Sequence, residues 1–271
     1  MDLKEKVVQG ESAFGWLTDV VKGVVVKAVK DADEVAKTVV ETVVTRLQET
    51  IQAALELAAQ MGQATASAAR GAINAADESG ADAIKVGVKL LTGTFQGASE
   101  TTVGAIQALK NVVSGVVQGL AEVGTDMEKA LARLVGEAVQ AGAEVGGSLG
   151  EVTEKTITGI VTGVSKTSSS VTEAIQTSVS AAVQTAAKGG QDVGQVAVSA
   201  VTGALEGAKK VGLGTTEVLQ TSVKSAIDAA SNVSAEAGQK VKNALMETVS
   251  GAAEILSIKS SNKDSQSREE N

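Results

Sequence analysis

Apolar residues recur along this chain with a fixed period of 22 residues. Stepping by that interval from Val25 gives Val25, Leu47, Ala69, Leu91, Val113, Val135, Ile157, Val179, Val201, Val223 and Leu245, all apolar. Four residues further on, the series is Val29, Ile51, Ile73, Phe95, Val117, Val139, Val161, Val183, Leu205, Ile227 and Val249. A third column is small: Ala36, Ala58, Gly80, Thr102, Gly124, Gly146, Ser168, Gly190, Gly212 and Ser234. A fourth is polar: Glu34, Glu56, Glu78, Glu100, Glu122, Glu144, Lys166, Lys188, Lys210, Asn232 and Glu254. The register runs from Val25 to Leu245 without insertion, and some stretches match closely at twice the interval, as Val171–Val179 does with Thr215–Val223.

Such spacings, alternating four and three, put the apolar columns on one face of a helix and the Glu/Lys column nearly opposite. A period of 22 is two elevens, and eleven residues make three turns at ~3.67 residues per turn. The fold class expected is therefore all-α: long amphipathic helices, either continuous or folded back into hairpins or a bundle. A single helix over residues 25–256 would be roughly 350 Å long at ~1.5 Å per residue. Gly146-Gly147 with Gly150, Ser168-Ser169-Ser170 and Gly189-Gly190 are the candidate breaks.

The repeat also sets the domain plan. Residues 1–24, carrying Phe14, Trp16, Leu17, Val20, Val21 and Val24, form an amphipathic lead-in. Residues 25–256 are the repeat, and residues 257–271 are a polar tail of mixed charge, expected to be disordered.

Composition narrows the chemistry. Among 271 residues there is no Pro, Cys, His or Tyr, one Trp and two Phe. Val, Ala, Ile and Leu are enough for thin helix–helix seams and poor for a thick core. Without Cys and His, thiolate chemistry, the usual general base and the commonest metal ligand are missing. The net charge of −8 disfavours nucleic acid and anionic membranes as partners. Apolar runs such as Val24-Val25-Val26 fall far short of the ~20 residues that span a bilayer, and the N-terminus lacks a signal-peptide layout, so a cytoplasmic protein is expected. No phosphate loop is present, and Gly212-Leu213-Gly214 lacks the third glycine of a dinucleotide loop. No catalytic residue, cofactor, metal or small-molecule substrate is expected.

The 29 glycines each cost ~0.5–1 kcal/mol relative to Ala inside a helix. The isolated helix should be marginal in water, so packing or a surface must supply the remaining stability. The pairs Gly93/Gly97, Gly115/Gly119, Gly159/Gly163 and Gly203/Gly207 lie toward the polar side and read as small residues on an exposed face.

The stretches Val161-Thr162-Gly163-Val164-Ser165-Lys166-Thr167 and Val201–Lys210 resemble the Val/Thr/Gly/Ala/Lys repeats of perilipins and synucleins, and in general style those of phasins and late-embryogenesis-abundant proteins. The resemblance spans residues 25–256. It implies a non-enzymatic amphipathic coat on a lipid droplet, storage granule or membrane. This chain is acidic and rich in Thr, Ser and Gln, which directs that expectation to surfaces of low charge. The apolar columns alone support a second reading, a self-associating helical bundle or filament, and a third is a stress-protective protein. The expected partners are thus a hydrophobic surface or the chain itself.

Overall fold

A computed structural model of the chain describes residues 62–98, 102–144 and 149–256. The lead-in 1–24, the polar tail, and Val25, Val29, Leu47 and Ile51 lie outside the described residues.

Among the described residues the fold is nine α-helices and no strands. They are α1 (Gly62–Glu78), α2 (Ala83–Ala98), α3 (Thr102–Glu122), α4 (Met127–Glu144), α5 (Leu149–Val164), α6 (Val171–Lys188), α7 (Val193–Lys210), α8 (Thr215–Ser231) and α9 (Ala235–Thr248). The starts of α4 to α8 are 22 residues apart. Among the described residues one sequence repeat thus holds one helix, and successive helices run back alongside one another. The all-α expectation holds, and of its two forms, continuous or folded back into hairpins or a bundle, the described residues take the second. Of the candidate breaks, Gly189-Gly190 and Ser168-Ser169-Ser170 do lie in turns, and further turns fall at 79–82, 123–126, 211–214 and 232–234.

The small column explains the reversals. Gly80, Gly124, Gly190 and Gly212 have φ of 74°, 70°, 70° and 75°, the left-handed conformation that glycine enters at little cost. Each closes its helix by the same six-residue hydrogen bond. Ala81 N–H donates to the Ala76 carbonyl at 2.8 Å, Thr125 to Leu120 at 3.0 Å, Gln191 to Ala186 at 3.0 Å, and Leu213 to Ala208 at 2.9 Å. Two residues after Gly80, Gly124 and Gly190, and after Ser168, a side chain caps the next helix, whereas Gly214, two residues after Gly212, makes no side-chain cap. The Asp82 and Asp126 carboxylates accept from the Lys85 and Lys129 N–H groups at 3.0 and 3.1 Å. Asp192 accepts from Gly194 and Gln195, and Ser170 from Glu173. Where Ser168 replaces the turn glycine, α5 ends early at Val164 and the reversal spans six residues, 165–170.

Alternation of direction sorts the helices into two layers. The odd layer holds α1, α3, α5, α7 and α9, and the even layer α2, α4, α6 and α8. Helices next but one in sequence are side by side in one layer, and sequential helices face each other across the interior. The structural repeat is therefore a two-helix hairpin of twice the sequence period, as in tandem-repeat helical folds. Ile73, Leu91, Leu109, Leu120, Leu131, Leu134, Ile157, Ile160 and Ile175 are fully buried and form a continuous core. The stability that the glycine-rich helices lack by themselves is supplied here by packing within the chain.

Candidate interaction face

The predicted apolar face is spent inside this array. Ile73, Leu91, Val113, Val117, Val135, Val139, Ile157, Val161, Val179, Val183, Val201, Val223 and Leu245 are each no more than 1% exposed. Leu205 and Ile227 are half-buried, and Val249 is buried but lies one residue beyond α9. The side chain of Phe95 is outside the described residues.

In the odd layer these residues meet the glycine pairs. A β-carbon placed on Gly159 would lie 2.6 Å from the Lys110 carbonyl oxygen and 2.9 Å from Val113 Cβ. On Gly163 it would lie 2.8 Å from the Ser114 carbonyl oxygen and 2.9 Å from Val117 Cβ. Gly115 and Gly119 seat against Ala66 and Ile73 on α1 in the same way, and Gly203 and Gly207 against Glu154 and Val161 on α5. Real side chains do not approach so closely, so only glycine permits these helix separations. The reading of these three pairs as exposed is overturned: all six glycines are buried. Each odd helix thus carries a bulky stripe on one flank and a small stripe on the other, and the bulky stripe of one enters the gap of the next. After α7 the fit ends, because the matching first position on α9 is Glu247, and Leu205 stays half-buried.

A polar cluster rides on the same seam. Lys155 on α5 lies 2.8 Å from Glu154 and 3.1 Å from Glu206 on α7, and Glu206 also pairs with Lys210. The buried Thr158 hydroxyl donates to the Gly203 carbonyl at 3.1 Å, satisfying a hydroxyl that no water reaches. Burial alone would raise the Glu206 carboxyl, but Lys210 and Lys155 outweigh it and hold its pKa at about 2. Burial likewise opposes the charge on Lys155, yet its bonds to Glu154 and Glu206 raise it. Nearby Lys110 is lowered by burial and then by Lys210. These groups tie neighbouring helices together.

The Glu/Lys column falls at helix C-termini rather than along one continuous polar face. Glu122 closes α3 and is held by Asn74 at 2.9 Å and Arg70 at 3.4 Å across the seam to α1. Lys188 and Lys210, in the last turns of α6 and α7, suit the negative end of the helix dipole. Among the described residues no group of His, Cys, Asp or Glu is placed to hold a metal ion, and no helix is long and apolar enough to cross a membrane.

No protein-family model matches the chain, and no curated protein matches it. Among solved structures, it is similar to a circular tandem repeat protein with novel repeat topology and enhanced subunit contact surfaces. The two share 16% sequence identity over 99% of this chain and 77% of the other, with a TM-score of 0.27.

Proposed function

We propose that the protein is a non-enzymatic scaffold: a self-contained helical array that acts by presenting its outer surface to other macromolecules. One observation carries this reading. The apolar columns that would serve as an adhesive face, including Val113, Val117, Ile157, Val161 and Val201, are consumed in the seams between its own helices. Adsorption to a lipid droplet or granule through that face requires the array to open, exposing seams that glycine and valine fit closely. A protein that keeps the array closed meets its partners through the polar surface.

Circular dichroism with and without neutral lipid vesicles, paired with light scattering over a range of concentration, tests the proposal. The expected result is a helical signal that changes with neither lipid nor concentration and melts cooperatively. A large gain of helix on lipid would overturn it in favour of the coat. A gain tied to concentration would favour assembly through the same columns into a bundle or filament.

A further inference from the structure

Two hollows open beside the N-terminal ends of the even-layer helices, at equivalent places one hairpin apart. The first, about 330 Å³, lies between the N-terminal ends of α4 and α6, with Met127, Leu131, Glu173 and Thr177 among its walls. The second, about 70 Å³, lies between α6 and α8, with Val171, Ile175, Glu217 and Thr221 at the equivalent places. Each residue of the second stands one hairpin repeat, twice the sequence period, after its counterpart in the first. The first turn of α6 is the ridge between them.

Their chemistry is alike as well as their position. Apolar side chains share the walls with polar ones, Glu128 adds a carboxylate to the first hollow alone, and an exposed carboxylate stands at the equivalent place in each, Glu173 in one and Glu217 in the other. Neither carboxylate pairs with a cation among the described residues. In the second hollow Leu213 is 40% exposed, one of three large hydrophobic side chains among the described residues left so open. A hollow whose walls are in part hydrocarbon, with an unpaired carboxylate beside it, matches the arginine or lysine side chain, whose methylene stem packs on hydrocarbon while its head stays charged. Same-layer helices are ~8–10 Å apart and an extended chain advances ~3.3 Å per residue, so successive hollows are reached by about every third residue.

We propose, building on the scaffold reading, that this edge of the even layer binds an extended basic segment of a partner protein, seating one cationic side chain in each hollow. Affinity comes from two weak sites in series on one ligand. Specificity comes from the carboxylates, which reject an acidic segment.

The test measures anisotropy of a labelled Arg-Gly-Ser repeat peptide titrated with the full chain, beside a Glu-Gly-Ser repeat. The expected result is saturable binding of the basic peptide, weakened by salt and weakened about tenfold by E173Q with E217Q, a factor of ~1.4 kcal/mol. The L213S variant should weaken it too, while E236Q with E247Q on α9 should leave it unchanged. All these side chains are exposed, so an unchanged helical spectrum shows that the array is intact. Equal binding of the acidic peptide, indifference to E173Q with E217Q, or the lack of saturable binding overturns the proposal. Failure here leaves the lipid and concentration responses as they were, so it is distinguishable from failure of the scaffold reading.

Discussion

At the scale of single residues, glycine performs two unrelated tasks in this chain, and substitution separates them. Gly159→Ala pushes a methyl group into the Lys110 carbonyl and Val113, which the closed seam cannot absorb, and should cost about 1–3 kcal/mol in urea unfolding. Gly80→Ala meets open space but forces alanine to a φ of 74°, at a cost of roughly 1–2 kcal/mol. Gly214→Ala meets neither obstacle, since its φ is −62° and nothing lies within 4 Å; the chain entropy it removes is opposed by alanine's poorer N-capping, so the change should stay within about 1 kcal/mol of neutral. Val117→Asp would bury a charge between α3 and α5 and should cost about 3 kcal/mol or more. Glu122→Gln removes only an exposed pair and should cost under about 1 kcal/mol.

Glu206 supplies a pH signature at the same scale. Its pKa of about 2 in the folded chain lies below the ordinary 4.5, so its contribution is fully present above pH 4.5 and is lost as pH falls toward 2. The stability gap between the native protein and E206Q should be about 1 kcal/mol at neutral pH, after solvent screening, and should close across that window. A gap that persists at pH 2 would assign Glu206 a packing role instead.

The helices and turns show what was legible in the sequence. The apolar columns located the elements, because burial on one face imposes a period that every helix repeats. The length of each helix was not read from them. A small column at the same period suits both a small residue on a helix face and a left-handed turn, and composition does not separate the two. The signal that does separate them is the capping residue two positions later, at Asp82, Asp126, Ser170 and Asp192, with Ser170 followed by Glu173 as a capping box requires. The glycine pairs were misread for a related reason: measured against one apolar face they look polar-side, but a helix in a layered array buries both flanks.

The hairpin, not the single helix, should be the unit that can be removed. Deleting residues 149–192 takes out α5, α6 and the turn into α7, and joins Ser148 to Val193 with every later helix still in its own layer. Deleting residues 149–170 moves α6 into the odd layer, where Ala181 would replace Gly159 against Lys110 and Val113, and Thr185 would replace Gly163 against Ser114 and Val117. Despite losing more of the chain, the first variant should unfold cooperatively at a higher urea midpoint than the second. The reverse order would make the 22-residue unit independent of its layer.

For the whole molecule, the two layers are not built to the same gauge. Glycine pairs draw the backbones of α3, α5 and α7 together. At the matching places α4 carries Glu137 and Ala141, α6 carries Ala181 and Thr185, and α8 carries Ser225 and Ala229, while α2 carries the pair Gly93 and Gly97. A hairpin with the glycine pair on its odd helix alone would be a wedge, narrower on the odd side. If the spacings differ by about 1 Å across layers ~10 Å apart, each wedge turns the array by roughly 6°. On that estimate the array would be an arc rather than a straight slab, with the odd layer toward its inner rim. Small-angle scattering should fit a bent particle, and widening the inner gauge with alanine at Gly115, Gly159 and Gly203 should either straighten it or unfold it. A linear ligand that crosses the even-layer helix ends would bend with such an arc, which would favour flexible segments over stiff ones.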